Sequence, residues 1–398
     1  MSDRILQIQQ ALRETQLDGW LFYSFRESDP LAYRILRLDP GGIATRRWYY
    51  LIPAQGEPVK LVHRIESHSL DGLPGRKLLY LSWQEQREGL RVLLEGRGRV
   101  AMQYSPENAL PYISRVDAGT VELVRRLGPE VVSSADLVQC FEAVWSPGQL
   151  ASHQEAAAAL RRIVDRAFQQ IRTAQLAGGE LTEHDLQQFL LSLFRAEGLT
   201  TAEPPIVAVG PHSADPHYAP LPEGSSRVRA GELVLLDLWA RKAEADSIYA
   251  DITWTGYVGA SVPEEYRRVF EVVRGARDAA LELVRRSIAE GTSLCGWQVD
   301  DVARQVIAQA GYGDHFIHRT GHSIGEEDHG NGANLDNLET HDERRIIPHT
   351  GFSIEPGIYL EGRFGIRSEI DVYVGEGEVL VTGQPIQTEV IPILGAGG

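Results

Sequence analysis

Residues 231–258 read GELVLLDLWARKAEADSIYADITWTGYV, and this stretch decides the fold because it places acidic residues inside two apolar strands. Asp237 lies between Leu236 and Leu238, and Asp251 lies in the second apolar run. Burying a carboxylate among such neighbours is costly unless it is paired or binds a metal ion. The stretch therefore predicts a pair of strands whose aspartates meet a counter-charge from elsewhere in the chain.

The same order of elements occurs twice around this stretch. Four segments have apolar residues at helical spacing, two before the strand pair and two after it. Their apolar faces are Leu160, Ile163, Val164, Ala167, Phe168 and Ile171; Leu186, Phe189, Leu190, Leu193 and Phe194; Ala276, Ala279, Ala280, Leu283, Val284 and Ile288; and Val299, Val302, Ala303, Val306, Ile307 and Ala310. The runs GFSIEPGIYL (351–360) and GIRSEIDVYV (365–374) then predict a second strand pair. Such a repeat is typical of a duplicated unit.

Acidic residues occupy matching places in the two strand pairs. Glu355 and Glu369 are 14 residues apart, as are Asp237 and Asp251, and the offset between the halves is 118 for both. Strand alternation also puts Arg367 on the same face as Glu369. If the halves pack about a pseudo-twofold axis, the four acids converge and repel one another. Two divalent cations would neutralise their four charges.

The stretch HRTGHSIGEEDHG (318–330) contains three histidines and a run of acids. The spacing is not His-Glu-x-x-His, which excludes the helical zinc-protease motif. One histidine from this stretch could complete the ligand shell of the four acids.

Composition excludes several classes of protein. The chain has 398 residues and a net charge of −16, which predicts about two domains and argues against nucleic-acid binding through the general surface. No apolar run approaches the roughly 18 residues of a membrane helix, and the N-terminus has no signal core. Cys140 and Cys295 form no motif. We therefore expect a cytoplasmic protein with no nucleic-acid or membrane partner.

Residues 1–145 alternate helical and strand patterns and show no catalytic constellation. The Pro-Gly turn in WSPGQLAS (145–152) marks a boundary. The predicted organisation is an α/β (α+β) chain with a domain at 1–145 and a duplicated domain at 150–393.

These motifs resemble the pita-bread (M24) metallopeptidases, the group of methionine aminopeptidase, aminopeptidase P, prolidase and creatinase. The resemblance covers about 150–393. Residues 1–145 resemble the creatinase-type N-terminal domain, which favours the aminopeptidase P and prolidase branch. The resemblance implies a homodimeric aminopeptidase or dipeptidase that hydrolyses the N-terminal bond of short peptides, Xaa-Pro above all.

The resemblance also implies roles for individual residues. The metal ligands would be Asp237, Asp251, His322, Glu355 and Glu369, with Asp251 and Glu369 touching both ions of a dinuclear site. The carboxylate-rich shell suits manganese, and the imidazole keeps cobalt, zinc and iron compatible. The catalytic residues would be His217, His318 and His329, which handle substrate and protons, Glu355 as proton acceptor and Arg367. Arg367 would orient Glu369; the alternative is an ordinary ion pair within the strand.

Some positions depart from the family pattern. Trp254 stands where the branch usually has arginine, the segment between the two aspartates is longer than usual, and an insert (GNGANLDNLETHDERRIIPH) follows His329. Two alternatives to a peptidase remain: a creatinase-like, metal-independent hydrolase of a small amidine or amide, and a non-catalytic binding module. Both usually lose ligand positions, and here all five are intact.

Overall fold

The computed structural model of the chain describes residues 3–39 and 44–395. The chain divides into two compact units, Met1–Glu142 and Ala143–Gly398. Each unit combines helices with a β-sheet core, as predicted from the alternating patterns.

The first unit is built on one mixed sheet. Its elements are α1 (Asp3–Glu14), β1 (Gly19–Ser24), α2 (Pro30–Leu36), β2 (Trp48–Pro53), β3 (Val59–His63), β4 (Arg76–Tyr80), α3 (Trp83–Leu94), β5 (Arg99–Met102), α4 (Ala118–Arg126), β6 (Glu130–Ser133) and α5 (Ala135–Glu142). The strand order is β4-β3-β2-β1-β5-β6. Alternate side chains of β1 go to different apolar cores: Trp20 and Phe22 to one, Leu21 and Tyr23 to the other. The sheet is therefore covered on both faces.

The second unit contains the predicted repeat. Its elements are α6 (Pro147–Leu176), α7 (Glu183–Ala196), β7 (Leu199–Thr200), β8 (Ile206–Val209), β9 (Leu233–Lys242), β10 (Ala250–Tyr257), α8 (Glu264–Glu290), α9 (Gly296–Gln309), β11 (Ser323–Ile324), β12 (Thr350–Ile354), β13 (Gly357–Leu360), β14 (Phe364–Arg367), β15 (Ile370–Val374), β16 (Val379–Val381) and β17 (Ile391–Pro392). Two helices precede each strand pair, which confirms the duplicated order.

Local sequence explains where these helices begin and end. Ser146 caps α6 in a reciprocal pair with Gln149, and Pro147 occupies the first turn, where a missing N–H costs nothing. Thr182 and Asp185 cap α7 in the same way. α8 ends at Gly291, whose φ of 65° is the left-handed conformation that glycine adopts without strain. No helix in the described part of the chain is both long and apolar enough to cross a bilayer.

The first half packs α6 and α7 on a sheet in the order β17-β10-β9-β7, with β8 also pairing with β9. β9 and β10 are continuous and antiparallel, and Asp237 faces Thr253 while Asp251 faces Trp239. The predicted apolar face of α6 is buried throughout this core.

The second half differs from the prediction of two long strands, because each strand is broken at its glutamate. Glu355 lies between β12 and β13, and Glu369 lies between β14 and β15. Pro356 has no N–H for the ladder, and the Glu355 N–H donates to the Thr320 carbonyl instead (2.7 Å). Ile354 pairs with Ile370 and Gly357 pairs with Arg367. That register, carried across the break, places Glu355 opposite Glu369.

Candidate metal centre

Asp237 and Glu369 meet at a threonine. The hydroxyl of Thr253, which faces Asp237 across the β9–β10 pair, lies 3.0 Å from Asp237 Oδ1 and 2.7 Å from Glu369 Oε2. Thr253 follows Asp251 by two residues, so strand alternation brings both side chains to one face. The two halves of the repeat therefore converge at this point, as the matched spacing predicted.

His322 joins the acids from a tightly packed segment. Its Nε2 atom lies 3.6 Å from Asp251 Oδ2 and 3.5 Å from Glu355 Oε1. Gly321 allows the backbone next to His322 to pass close to β12, because a Cβ on that residue would lie 1.9 Å from the Ser353 carbonyl oxygen. The lack of a side chain at Gly321 therefore lets His322 lie against β12.

The donor atoms at this point fit a cation. One ligand atom each from Asp251, His322 and Glu369 lies within 4.8 Å of the others. Asp251 Oδ1 and Glu369 Oε1 are buried and have no hydrogen-bond partner among residues 3–39 and 44–395. Buried carboxylate oxygens are ordinarily paired, so unpartnered oxygens beside an imidazole indicate a place for a divalent ion.

Electrostatics support the same conclusion. Burial, followed by the charge of Glu369, raises the pKa of Asp251 well above its usual range. Burial, followed by the charge of Glu355, does the same to the pKa of Glu369. Burial also raises the pKa of Glu355 to about 7, although Arg367 opposes the shift. A cation among these carboxylates would relieve both the desolvation and the mutual repulsion.

Metallopeptidase family M24 matches residues 151–376 of the sequence. The chain belongs to this family. It is therefore a metal-dependent hydrolase of the metallopeptidase class, and the predicted family is confirmed. The match covers most of the second unit and includes all five residues of the expected ligand set.

Similar proteins extend the likeness beyond the matched region. The probable dipeptidase PepE of Mycobacterium tuberculosis is 27% identical over 354 residues, which cover 86% of this chain and 85% of that protein. An Xaa-Pro dipeptidase of Pyrococcus furiosus is 34% identical over 171 residues, 43% of this chain and 44% of that one. The crystal structure of dipeptidase PepE from Mycobacterium ulcerans has a TM-score of 0.69 at 24% identity, covering 98% of this chain and 97% of that chain.

These comparisons confirm the predicted α/β fold with its pita-bread catalytic unit. They place the activity of this M24 chain in the metallo-dipeptidase and aminopeptidase class. They do not favour a metal-independent hydrolase or a binding module. The individual site residues are located by geometry alone.

Arg367 of the M24 chain lies among the carboxylates. Its guanidinium contacts Asp237, and its Nε atom donates to the Thr253 hydroxyl (2.9 Å) and lies 4.0 Å from Glu355 Oε2. Arg367 and Glu369 thus reach the same hydroxyl, so both point to one side. The ion pairs of Arg367 are with Asp237 of the other half and with Glu355, and neither of these acids is on its own strand.

His318 is held by hydrogen bonds on both ring nitrogens. Its Nδ1 lies 2.7 Å from the Arg319 carbonyl, which can only accept, so Nδ1 carries the proton. Its Nε2 then accepts from the Tyr359 hydroxyl (2.7 Å), and Arg367 Nη1 donates to that hydroxyl (3.2 Å). Burial, followed by the Arg367 charge, lowers the pKa of His318 to about 3. Tyr359 was not predicted from the sequence, because a tyrosine in an apolar strand is usually a core residue.

The other two predicted histidines are exposed. His329 is 61% exposed, its ring centroid lies 4.2 Å from that of His322, and its Nδ1 lies 3.4 Å from an Arg319 guanidinium nitrogen. His217 lies in the segment between β8 and β9, and its charge acts on His329. Both side chains are open to a substrate.

Sequence reasoning also missed Glu183, which organises the segment that carries His217. This carboxylate is fully buried. It accepts hydrogen bonds from the Tyr218 hydroxyl (2.7 Å), the Ser226 N–H (2.8 Å) and the His212 ring (2.9 Å). The only sequence signal is its place in the first turn of α7, where an acid is commonplace.

Trp254 does not line the metal centre. It packs in the core of the first half with α6, where the Arg161 guanidinium carbon lies 3.8 Å from the ring centroid. Asp251 and Thr253 are on the opposite face of β10. The departure from arginine at this position therefore alters the core rather than the ligand set.

Proposed function

We propose that this M24 chain hydrolyses the N-terminal peptide bond of short peptides, with Xaa-Pro peptides as its substrates. The observation that carries the proposal is the convergence of Asp251, His322 and Glu369, with unpartnered carboxylate oxygens, at one point. The relatives named as a dipeptidase and as an Xaa-Pro dipeptidase support the substrate class.

We assign two divalent cations per chain to the ligands Asp237, Asp251, His322, Glu355 and Glu369. Four carboxylates and one imidazole suit manganese, and cobalt, zinc or iron are compatible. When bound, such ions would polarise a scissile carbonyl and lower the pKa of a bound water towards about 7, so that hydroxide is available at neutral pH. The residues of the chain supply binding, orientation and proton handling around them.

Glu355 is the proton acceptor in this proposal. Its carboxylate lies opposite Glu369, where the two halves converge, and in this position it would take a proton from water and pass it to the leaving nitrogen. Arg367 lies 4.0 Å from Glu355 Oε2 and favours its charged form. Arg367 also contacts Asp237, so it fixes two of the acids relative to each other.

The histidines bind the substrate from the open side. His329 and His217 are exposed, with the His329 ring against that of His322, and in this proposal they hold the carbonyl oxygen and the peptide backbone. His318 acts through Tyr359, because both of its nitrogens are already bonded. It therefore orients Arg367 rather than meeting the peptide.

The organisation of the protein is also part of the proposal. We assign residues 1–145 to a creatinase-type N-terminal domain and 150–393 to the catalytic domain, in a cytoplasmic homodimer. Cys140 and Cys295 form no disulfide within the described residues, which supports a reducing compartment. The resemblance to the aminopeptidase P and prolidase branch supports the dimer, which sedimentation would test.

The proposal is tested with purified protein stripped of metal by a chelator. We expect no hydrolysis without metal, and release of the N-terminal amino acid from Xaa-Pro dipeptides after addition of Mn²⁺ or Co²⁺. Dipeptides and tripeptides without proline measure the selectivity. Metal-loaded protein that is inert across the whole panel would refute the peptidase assignment. Metal-free protein with full activity would restore the metal-independent alternative.

A further inference from the structure

Asp328 is an acid beside the metal centre that corresponds to none of the five ligand positions. It belongs to the acidic run Glu326-Glu327-Asp328 between His322 and His329. The run folds back on itself: the Gly325 N–H donates to the Glu327 carbonyl (3.0 Å), and the Gly330 N–H donates to the Ser323 carbonyl (2.7 Å). This turn exposes Glu326 and Glu327 and directs Asp328 inward.

The inward direction brings Asp328 to the histidines. One ligand atom each from His322, Asp328 and His329 lies within 4.8 Å of the others. His322 also belongs to the group with Asp251 and Glu369. The two groups therefore share His322, which places the Asp328 carboxylate next to the proposed metal centre.

Asp328 also has an oxygen without a partner. Its side chain is 22% exposed, but Oδ1 is buried and accepts no hydrogen bond within the part of the chain that the structure describes. Its Oδ2 lies 3.8 Å from His329 Nε2. Asp251 and Glu369, each more than nine-tenths buried, leave an oxygen unpartnered in the same region. Unpartnered oxygens on three neighbouring acids indicate a common missing partner.

The local charge balance gives a reason for a further acid. Arg367 contacts Asp237, and the Arg319 guanidinium lies beside His329. Two fixed positive charges among the carboxylates weaken the attraction for a cation. A carboxylate of Asp328 held by the same cation offsets one of them.

We propose that Asp328 is a sixth metal-binding acid, which holds a divalent cation together with His322 and raises the affinity of the centre for it. The inference rests on the proposed function, since it concerns the same centre. It assigns a purpose to the acidic run that the five expected ligands leave unexplained.

The experiment compares the full-length wild type with Asp328→Asn and with Glu327→Gln, a matched control at the exposed neighbour. Each protein is stripped of metal and titrated with Mn²⁺ alone in a calorimeter, and bound ions are counted by elemental analysis. We expect Asp328→Asn to bind Mn²⁺ about 10- to 100-fold more weakly, or to bind fewer ions. Glu327→Gln should match the wild type, and Asp328→Glu should recover most of the affinity because it keeps the carboxylate.

The outcomes separate this inference from the proposed function. If Asp328→Asn binds Mn²⁺ with wild-type number and affinity, Asp328 is not a metal-binding group, whatever the peptidase assay shows. An altered KM with unchanged metal affinity would place Asp328 on the peptide instead, and would also overturn the inference. A wild type that binds no Mn²⁺ would overturn both proposals together. Circular dichroism of the metal-free proteins checks that each variant is folded.

Discussion

The Nε2 atom of His318 lies 2.7 Å from the hydroxyl of Tyr359, and the same hydroxyl lies 3.2 Å from Arg367 Nη1. Tyr359 thus links His318 to Arg367, whose guanidinium contacts Asp237. This link makes His318 and Tyr359 a single unit that positions Arg367.

Tyr359→Phe removes the shared hydroxyl and keeps the ring. We expect kcat to fall roughly 10- to 100-fold, since a hydrogen bond to a charged group is worth about 1.5–3 kcal/mol. Bound metal should be unchanged. Because His318 acts through the same hydroxyl, adding His318→Ala to Tyr359→Phe should cost little more. Steady-state kinetics of the two single variants and the double variant measure the coupling, and fully additive losses would show that the two residues act separately.

His329→Ala should reduce turnover sharply while bound metal stays nearly constant. The imidazole is 61% exposed beside the centre, where it meets the substrate rather than completing the five-ligand set. A positioned acid–base or hydrogen-bonding group accounts for about 10²–10⁴-fold in rate. Kinetics paired with elemental analysis test this. Loss of metal together with activity would make His329 a ligand.

Asp251→Asn should give an inactive protein that binds fewer than two ions per chain. Its metal-free form should be no less stable than the metal-free wild type, because one source of repulsion is removed from a buried cluster. Added Mn²⁺ should raise its melting temperature less than that of the wild type, since stabilisation follows binding to the folded state. A variant that loads two ions and shifts like the wild type would exclude Asp251 as a shared ligand.

Glu183→Gln should impair substrate binding from a distance. The fully buried carboxylate accepts several hydrogen bonds from the segment that carries His217. Weakening them should cost about 1–3 kcal/mol in the free energy of unfolding and raise KM. His217→Ala is the matched comparison: it should raise KM without the loss of stability. Unchanged KM in Glu183→Gln would limit Glu183 to a purely structural role.

The buried carboxyl of Asp29 should make the stability of the first unit depend on pH. Burial raises the pKa of this carboxyl from about 3.8 to about 7 in the folded chain. Between these values the unfolded chain loses the proton and the folded chain keeps it, so the free energy of unfolding falls as pH rises towards 7. Asp29 caps α2, where its side chain accepts from the Ala32 N–H. Asparagine carries no such proton and caps a helix equally well.

The advantage of Asp29→Asn should therefore grow from pH 4 to pH 7 and level off above, reaching at most about 4 kcal/mol. Denaturant melts of both proteins across this range measure it. A difference between variant and wild type that is independent of pH would show that Asp29 has an ordinary pKa in the folded state.

The sequence predicted the repeat and the converging acids because strand and helix periodicities are local properties. The apolar face of α6 and the caps of α7 follow directly from residue order. Asp237 and Asp251 stood out because they interrupt apolar runs.

Other features depend on contacts that are distant in sequence. The breaks at Glu355 and Glu369 arise because backbone groups there bond outside the ladder, for example to Thr320. Tyr359 and Glu183 take their roles from partners many residues away, so neither has a distinctive local pattern. Trp254 departs from the family pattern, and only the packing of the first half shows that its side chain lies in the core.

The broken strands give the two halves different tolerance to changes in chain length. A one-residue slip between β9 and β10 would move Asp237 and Asp251 to opposite faces of a continuous ladder, so every position within these strands is constrained. In the second half, the β12–β15 and β13–β14 pairings fix the register independently on each side of the break. Between the two aspartates, extra residues can accumulate in the turn at 243–249, where the segment has room to lengthen without displacing either one.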